Sequence, residues 1–586
     1  MKSPRVLASV VSLAALIVSA SCTPTSNVPA VTGSAPSTTS SPVGHDDAAI
    51  EEAERAYIDM VVATSPESAT GLGLHARDTE LDDYSLAGNA AVIAKQKAML
   101  DSLRSRFAKT DASPSKKVDL ELIEHALSVS IRQDAEVRPL ERLPMNYVRV
   151  LDTLFNMVAR TYAPAPERAA NALARLEKVP AVLAAAKTNL KSPPKLWTQV
   201  AIESTKQVPA FFAEIEPFLK KELPNDGPRV KAALDGAVGA FASFGTYLEH
   251  EVLPRSNGEF AAGRAYFDFL LHEDYFLTEN ADQIEALGKR LLDRTDAEMT
   301  ALAKKIDPKA KGWPEVLGRI KKDHASAEDL MPWYRREVER ARAFLVQKDA
   351  VPFPPNDECA VLETPAFLRN TTTAAYDASP PFDTSTARGF FFVTPVDASL
   401  DATQKEQLLM ENNHAEGVDT VVHETYPGHH LQLSFSRRHP SIARKALGTS
   451  LFAEGWGLYS EELMDELGYF TNDERMAYLE WVLVRAARVI IDVGLHTKGM
   501  TFEQAVAMLE DRVHLAKVLA VNEVKRYTMT PTQPLSYLVG REMIVALREK
   551  MKQRDGAKFS LKRFHEEVLS HGTIAPGLMS EEIFGR

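Results

Sequence analysis

The chain has 586 residues, of which 45% are hydrophobic and 25% charged, and its formal net charge is −12. That balance suits a globular protein with a large core. The acidic charge and the lack of any basic block exclude nucleic acid as a natural partner.

The N-terminus reads as an export signal. Lys2 and Arg5 precede an apolar run from Val6 to Val18, too short to span a bilayer as a mature helix. The run ends in Ser19-Ala20-Ser21-Cys22, which is similar to a bacterial lipobox whose Cys is lipidated and becomes N-terminal. Ser19 stands where Leu is usual, and plain secretion with an incidental Cys is the alternative. The expected layout is a lipoprotein signal peptide over 1–22, a flexible Ser/Thr/Pro-rich tether over 23–46, and one large helical domain over 47–586. Lipid on Cys22 would then hold the domain to the bacterial envelope, in the periplasm or at the cell surface. Only Cys359 remains after that, so no intramolecular disulfide can form.

From about Asp46 onward helical periodicity dominates. Ala48–Ala63, Ala90–Phe107, Lys117–Ser130, Ala165–Leu190 and Gln283–Lys305 read as amphipathic helices. Breaks such as Lys191–Lys195 and Val351–Pro355 separate them, without an internal repeat or a second linker. Arg388–Thr394, aromatic and β-branched and stopped by Pro395, reads as a strand. It is either an edge along which a peptide could pair or an ordinary core strand.

The most informative segment is His423-Glu424-Thr425-Tyr426-Pro427-Gly428-His429-His430. Imidazole and carboxylate suit a borderline cation such as zinc, and a Glu beside the first ligand is where a metalloprotease keeps its general base. In the familiar H-E-x-x-H pattern the two His lie at i and i+4. Here they lie at i+6 and i+7, and on an ideal helix i+6 points about 240° away while i+7 lies about 10 Å further along. Pro427-Gly428 supplies a break that could loop out two residues and return His429 to the position one turn above His423. His430 is then expected outside the ligand set, although a swap with His429 stays open. Nine of the fifteen histidines fall after residue 410.

A catalytic zinc site needs a third protein ligand. Glu454 is the only charged residue in Leu451–Tyr459, where a lone carboxylate is costly unless it is metal-bound or ion-paired. It follows His423 by 31 residues, room for a helix, a turn at Arg438–Ser441 and a second, antiparallel helix. Gly455 and Gly457 would let another backbone or a ligand approach closely. Glu461 and Glu462, two turns on, either hold the ligand imidazoles from behind or face solvent. On the apolar segment Trp481–Leu495 and its end, Arg485, Arg488, Asp492 and His496 fall within about 80° of one another. That stripe is either an Arg488–Asp492 ion pair or a wall of the cleft, with His496 able to bond a transition-state oxygen. Arg526-Tyr527 and Gln533–Arg541 form a third cluster, in which Arg526 or Arg541 could fork onto a substrate carboxylate.

These motifs together resemble a known family. His-Glu-x-x-Pro-Gly-His with Leu431-Gln432, Phe452-Ala-Glu-Gly-Trp456, Arg485-Ala-Ala-Arg488 with Asp492-x-Gly494-x-His496, and Pro531-x-Gln533-x-Leu535-Ser536-Tyr537 occur in order. They are similar to a group of bacterial secreted proteins and lipoproteins long catalogued as a domain of unknown function. That group is classed with gluzincin zinc metallopeptidases, relatives of thimet oligopeptidase and carboxypeptidase Taq. The resemblance implies a mostly α, zincin-like metallopeptidase body with a small β-sheet beside the active-site helix, and the metal site within 380–545. It implies one Zn2+ per chain held by His423, His429 and Glu454, a peptide substrate, and Glu424 as general base. Tyr537, with Tyr527 second, would donate to the oxyanion, and the stretch that holds the catalytic candidate His496 would belong to the site; Arg526, Arg541 and Tyr527 are the candidate substrate-binding residues. Two other readings are a metal hydrolase of esters or non-peptide amides, and a binding protein on a degenerate peptidase scaffold.

Overall fold

The computed structural model describes residues 44–585, apart from 356, 365–368, 370–372, 384–387 and 398–399. Cys22 and the signal peptide lie outside the described residues. The expected early helices form over Asp47–Thr64, Leu86–Arg106, Pro114–Glu136 and Ala281–Ile306. Ala165–Leu190 is two helices, Ala165–Leu176 and Val179–Asn189. Pro180 lacks the N–H that would continue the first ladder and is tolerated in the first turn of the second.

Three apolar cores result. One is closed by residues between Leu140 and Val252, which make a helical lobe of their own. The other two mix distant chain: Ile50–Leu127 packs with Ala325–Val351 and residues from Phe391 to Met579, while Phe267–Ile320 packs on residues from Ala415 to Ala575. At the centre runs the helix Asn472–Thr497, started by a capping box between Thr471 and Glu474 and buried almost all round from Met476 to His496. The helices Ser450–Glu466 and Gln533–Asp555 cross in backbone contact. A Cβ on Gly455 would stand 2.5 Å from the Gly540 carbonyl carbon, and one on Gly540 1.8 Å from the Leu451 oxygen.

A small sheet is set against this helical body. It holds β1 (Cys359–Glu363), β2 (Ala374–Asp377) and β3 (Gly389–Val393) in the order β1-β3-β2. β3 runs parallel to β1 and antiparallel to β2. The strand read from the sequence is therefore the central one, and the edge beside the His-rich helix is β2. Arg160 of the 140–252 lobe pins β2, pairing with Asp377 and donating to the Ala378 carbonyl at 2.6 Å. No helix among the described residues is long and apolar enough to cross a membrane.

Candidate metal centre

The His-rich segment folds as two helices, His414–Glu424 and His429–Ser436, with a cis Tyr426–Pro427 bond between them. Across the break the Gly428 N–H donates to the Val422 carbonyl at 3.1 Å and the Leu431 N–H to the Thr425 carbonyl at 3.3 Å. Both bonds join residues six apart where a regular helix joins residues four apart, so two extra residues are accommodated. A Cβ on Gly428 would stand 1.8 Å from the His423 carbonyl oxygen, which restricts the position to glycine.

This geometry returns His429 to the face of His423, with the two rings crossing at 87° and centroids 4.7 Å apart. Glu454, one turn into its helix, points between them. Its Oε2 lies 3.7 Å from His423 Nε2 and 3.4 Å from His429 Nε2. Tetrahedral ligands at about 2.0–2.2 Å from one ion stand roughly 3.3–3.6 Å apart, so the donor set fits zinc in chemistry and spacing. Among the described residues these three alone bring metal-ligating atoms within 4.8 Å of one another. Burial opposes a charge on Glu454, but the His423 and His429 imidazoles beside it outweigh that and hold the carboxyl well below its usual range. Gly457 makes room for the first ligand, since a Cβ there would lie 2.5 Å from His423 Cε1.

Glu461 stands behind His423. It is fully buried, and its Oε1 accepts from His423 Nδ1 at 2.6 Å and from Arg485 Nη2 at 3.0 Å. Donation from Nδ1 leaves Nε2 as the lone-pair donor aimed at the ion position. Solvent exposure, the other reading of Glu461, is thus overturned by its burial. Glu462 instead lies 3.4 Å from Arg541 Nη1.

Glu424 ends the first helix and remains half-buried beside the cluster. Its Oε2 accepts from the backbone N–H of Tyr376 on β2 at 2.9 Å, so the carboxylate is aligned by the sheet edge. His430 turns the other way. It is fully buried, with Nε2 2.9 Å from Asp357 Oδ1 and Nδ1 3.1 Å from the Tyr376 hydroxyl.

Tyr537 lies on the opposite wall, its ring stacked on His423 at 6.2 Å and flanked by the Arg488 and Arg485 guanidiniums at 4.9 and 5.5 Å. Burial, followed by the Glu454 charge, raises its pKa, so it stays a protonated donor.

His496, Tyr527, Arg526 and Arg541, the other expected site residues, make their contacts within the protein. His496 is buried far along the central helix, with Nδ1 accepting from the Ala262 N–H at 3.2 Å and Nε2 on the Tyr527 carbonyl at 2.9 Å. Both ring nitrogens are consumed, so it cannot bond a reacting oxygen. Tyr527 is fully buried, donating to Glu523 at 2.6 Å and accepting from Arg488 at 2.8 Å. Arg526 is spent on Glu523 and Gln533 at 2.9 and 2.6 Å. Arg541, 2% exposed, is spent on Glu542 and Glu462. Arg488 pairs with Glu523 at 2.8 Å rather than with Asp492, which accepts from the Thr532 N–H at 3.3 Å. Of this Arg488–Glu523–Arg526 group, Arg488 lies against the Tyr537 ring.

Sequence reasoning missed Tyr376 and Asp357. β2 is four residues of Ala-Ala-Tyr-Asp with no alternation to mark it, and Asp357 carries no local pattern at all. Glu461 did carry a signal: seven residues after Glu454, it faces the same way on the helix.

A family described as a bacterial protein of unknown function (DUF885) matches residues 66–583. A predicted lipoprotein of unknown function from Shewanella oneidensis is 26% identical, with a TM-score of 0.76 over 92% of this chain and 99% of its own. A predicted lipoprotein from Colwellia psychrerythraea, 19% identical, shares the fold with a TM-score of 0.75 over 92% of this chain and 97% of its own. No curated protein matches the chain. The lipoprotein description of the Shewanella oneidensis relative agrees with the lipobox reading of Ser19–Cys22 and with a place in the bacterial envelope.

Proposed function

The chain belongs to the bacterial DUF885 family, and we propose that it is a zinc-dependent peptidase of the gluzincin kind, anchored outside the cytoplasm by lipid on Cys22 and hydrolysing oligopeptides. The observation that carries this reading is the convergence of His423, His429 and Glu454 beside the aligned carboxylate of Glu424. His423, His429 and Glu454 would hold one zinc ion. Bound there, zinc polarises a scissile carbonyl and lowers the pKa of water. Glu424 takes the proton of the attacking water and later delivers it to the leaving amine. Tyr537 donates its hydroxyl hydrogen to the developing oxyanion, a contribution of about 3 kcal/mol for a positioned donor. β2 is the terminal strand of the sheet and presents the Tyr376 N–H to Glu424, and a substrate backbone would lie beside it as an added strand.

Glu424→Gln is the test, because the amide keeps the shape and removes the base. The variant should keep its fold and its zinc and lose peptide hydrolysis by at least about a hundredfold. Retained activity would remove Glu424 as the base, and zinc loss without unfolding would make it a ligand. Chelator-sensitive cleavage of an ester panel with no cleavage of peptides would replace the peptidase reading by a different hydrolase.

A further inference from the structure

His430 is the one member of the His-rich segment left without a task by the zinc reading, yet it is among the most completely buried side chains near the site. Its surroundings form one continuous chain of polar contacts. Asp357 Oδ2 accepts from the Tyr426 hydroxyl at 2.7 Å, and Asp357 Oδ1 lies 2.9 Å from His430 Nε2. The Tyr376 hydroxyl lies 3.1 Å from His430 Nδ1, within hydrogen-bond distance. The backbone N–H of the same Tyr376 then donates to Glu424 at 2.9 Å.

The Tyr376 ring is fixed from a second side. A Cβ on Gly389 of β3 would lie 2.1 Å from the Tyr376 hydroxyl oxygen, so the phenol lies across the strand only because that position is glycine. The His430 ring meets the Tyr376 ring edge-on at 5.5 Å and the Tyr426 ring edge-on at 5.0 Å. The phenol is thus clamped between the His-rich segment and β3, and its own backbone is the partner of the base.

We infer that His430 and Asp357 are positioning residues for Glu424, acting through Tyr376 as a strut. The dyad holds the phenol, the phenol sets the height of β2 at its edge, and the edge N–H sets the carboxylate. This rests on the peptidase reading, in which Glu424 moves the proton. It also explains why two adjacent histidines follow Pro427-Gly428: His429 serves the ion and His430 serves the base.

The test is a set of cycles on kcat. His430→Gln and Tyr376→Phe should each keep full zinc and lower kcat about tenfold to a hundredfold, the scale of a base displaced by a fraction of an ångström to an ångström. KM should move far less than kcat. The double variant should be no slower than the worse single one, because both cut the same strut. In a Glu424→Gln background His430→Gln should have no further effect. Gly389→Ala, which displaces the phenol without touching the His-rich segment, should reproduce the kcat loss. Zinc loss in His430→Gln would make it a ligand, and additive losses or an undiminished effect in the Glu424→Gln background would overturn the strut. Failure of the peptidase reading looks different: Glu424→Gln alone would then leave hydrolysis intact.

Discussion

The polar stripe Arg485, Arg488, Asp492 and His496 on the central helix Asn472–Thr497 is used differently in its two halves. In the first half Arg485 reaches Glu461 and so braces the imidazole of His423 from behind. In the second half His496 and Asp492, 3.7 Å apart, take their hydrogen bonds from backbone, in the loops around Ala262 and Thr532 and at the end of the helix Lys517–Tyr527. Those loop amides and the helix-terminal carbonyl have no ladder partner, and leaving them bare in a dry interior would be costly. A polar stripe on an apolar helix therefore has two uses, and the partner across the interface decides which. A side-chain carboxylate tied to a ligand marks the site; loose backbone marks the scaffold.

Substitutions can break that distinction. Glu454→Ala should weaken zinc binding most, by more than about a hundredfold and beyond the loss typical of an outer partner, measured by metal analysis after dialysis against a weak chelator. Glu461→Gln keeps the volume but weakens the acceptor for His423, and should cost about tenfold to a hundredfold in zinc affinity with the fold intact. Equal affinity in this variant would detach the Arg485 end of the stripe from the site.

His496→Asn should leave zinc affinity and kcat alone and lower unfolding free energy by about 1–3 kcal/mol, the cost of disturbing two buried hydrogen bonds. Its signature is acid sensitivity. Burial depresses the His496 pKa to about 4, against the small opposing effect of the Tyr527 carbonyl, whereas the unfolded chain titrates near 6.5. Between those values the unfolded state binds more protons, so this contribution is complete above about pH 6.5 and lost as the pH falls towards 4, at up to about 1.4 kcal/mol per pH unit. Urea titrations at several pH values should show a shallower loss in His496→Asn than in the parent protein. An identical pH slope would place His496 in contact with water and reopen its role.

The long helices were legible because their apolar periodicity survives burial, and the meeting of His423, His429 and Glu454 because imidazoles and a lone carboxylate in apolar sequence are expensive unless they meet. The inserted pair of residues was legible too, since Pro427-Gly428 admits few alternatives. The arginines and Tyr527 misled because charge and aromaticity in a cluster look alike whether they face a substrate or one another. Glu523, which neutralises Arg488 and Arg526 together, drew no notice in an ordinary helical stretch. The edge strand was illegible: β2 takes its place from pairing with β3 and from the clamp on Tyr376, neither of which is local.

All three ligand candidates lie within the short span from His423 to Glu454, whereas the groups that tune them come from as far away as Tyr376, Arg485 and Tyr537. Gathering the ligands asks the chain to close one modest loop, and loop-closure entropy grows only with the logarithm of length. Aligning Glu424 asks for a sheet gathered from three separate strands and pinned by Arg160 of a remote lobe. The cluster that would hold an ion is thus a product of neighbouring chain, whereas the alignment of Glu424 belongs to the finished fold.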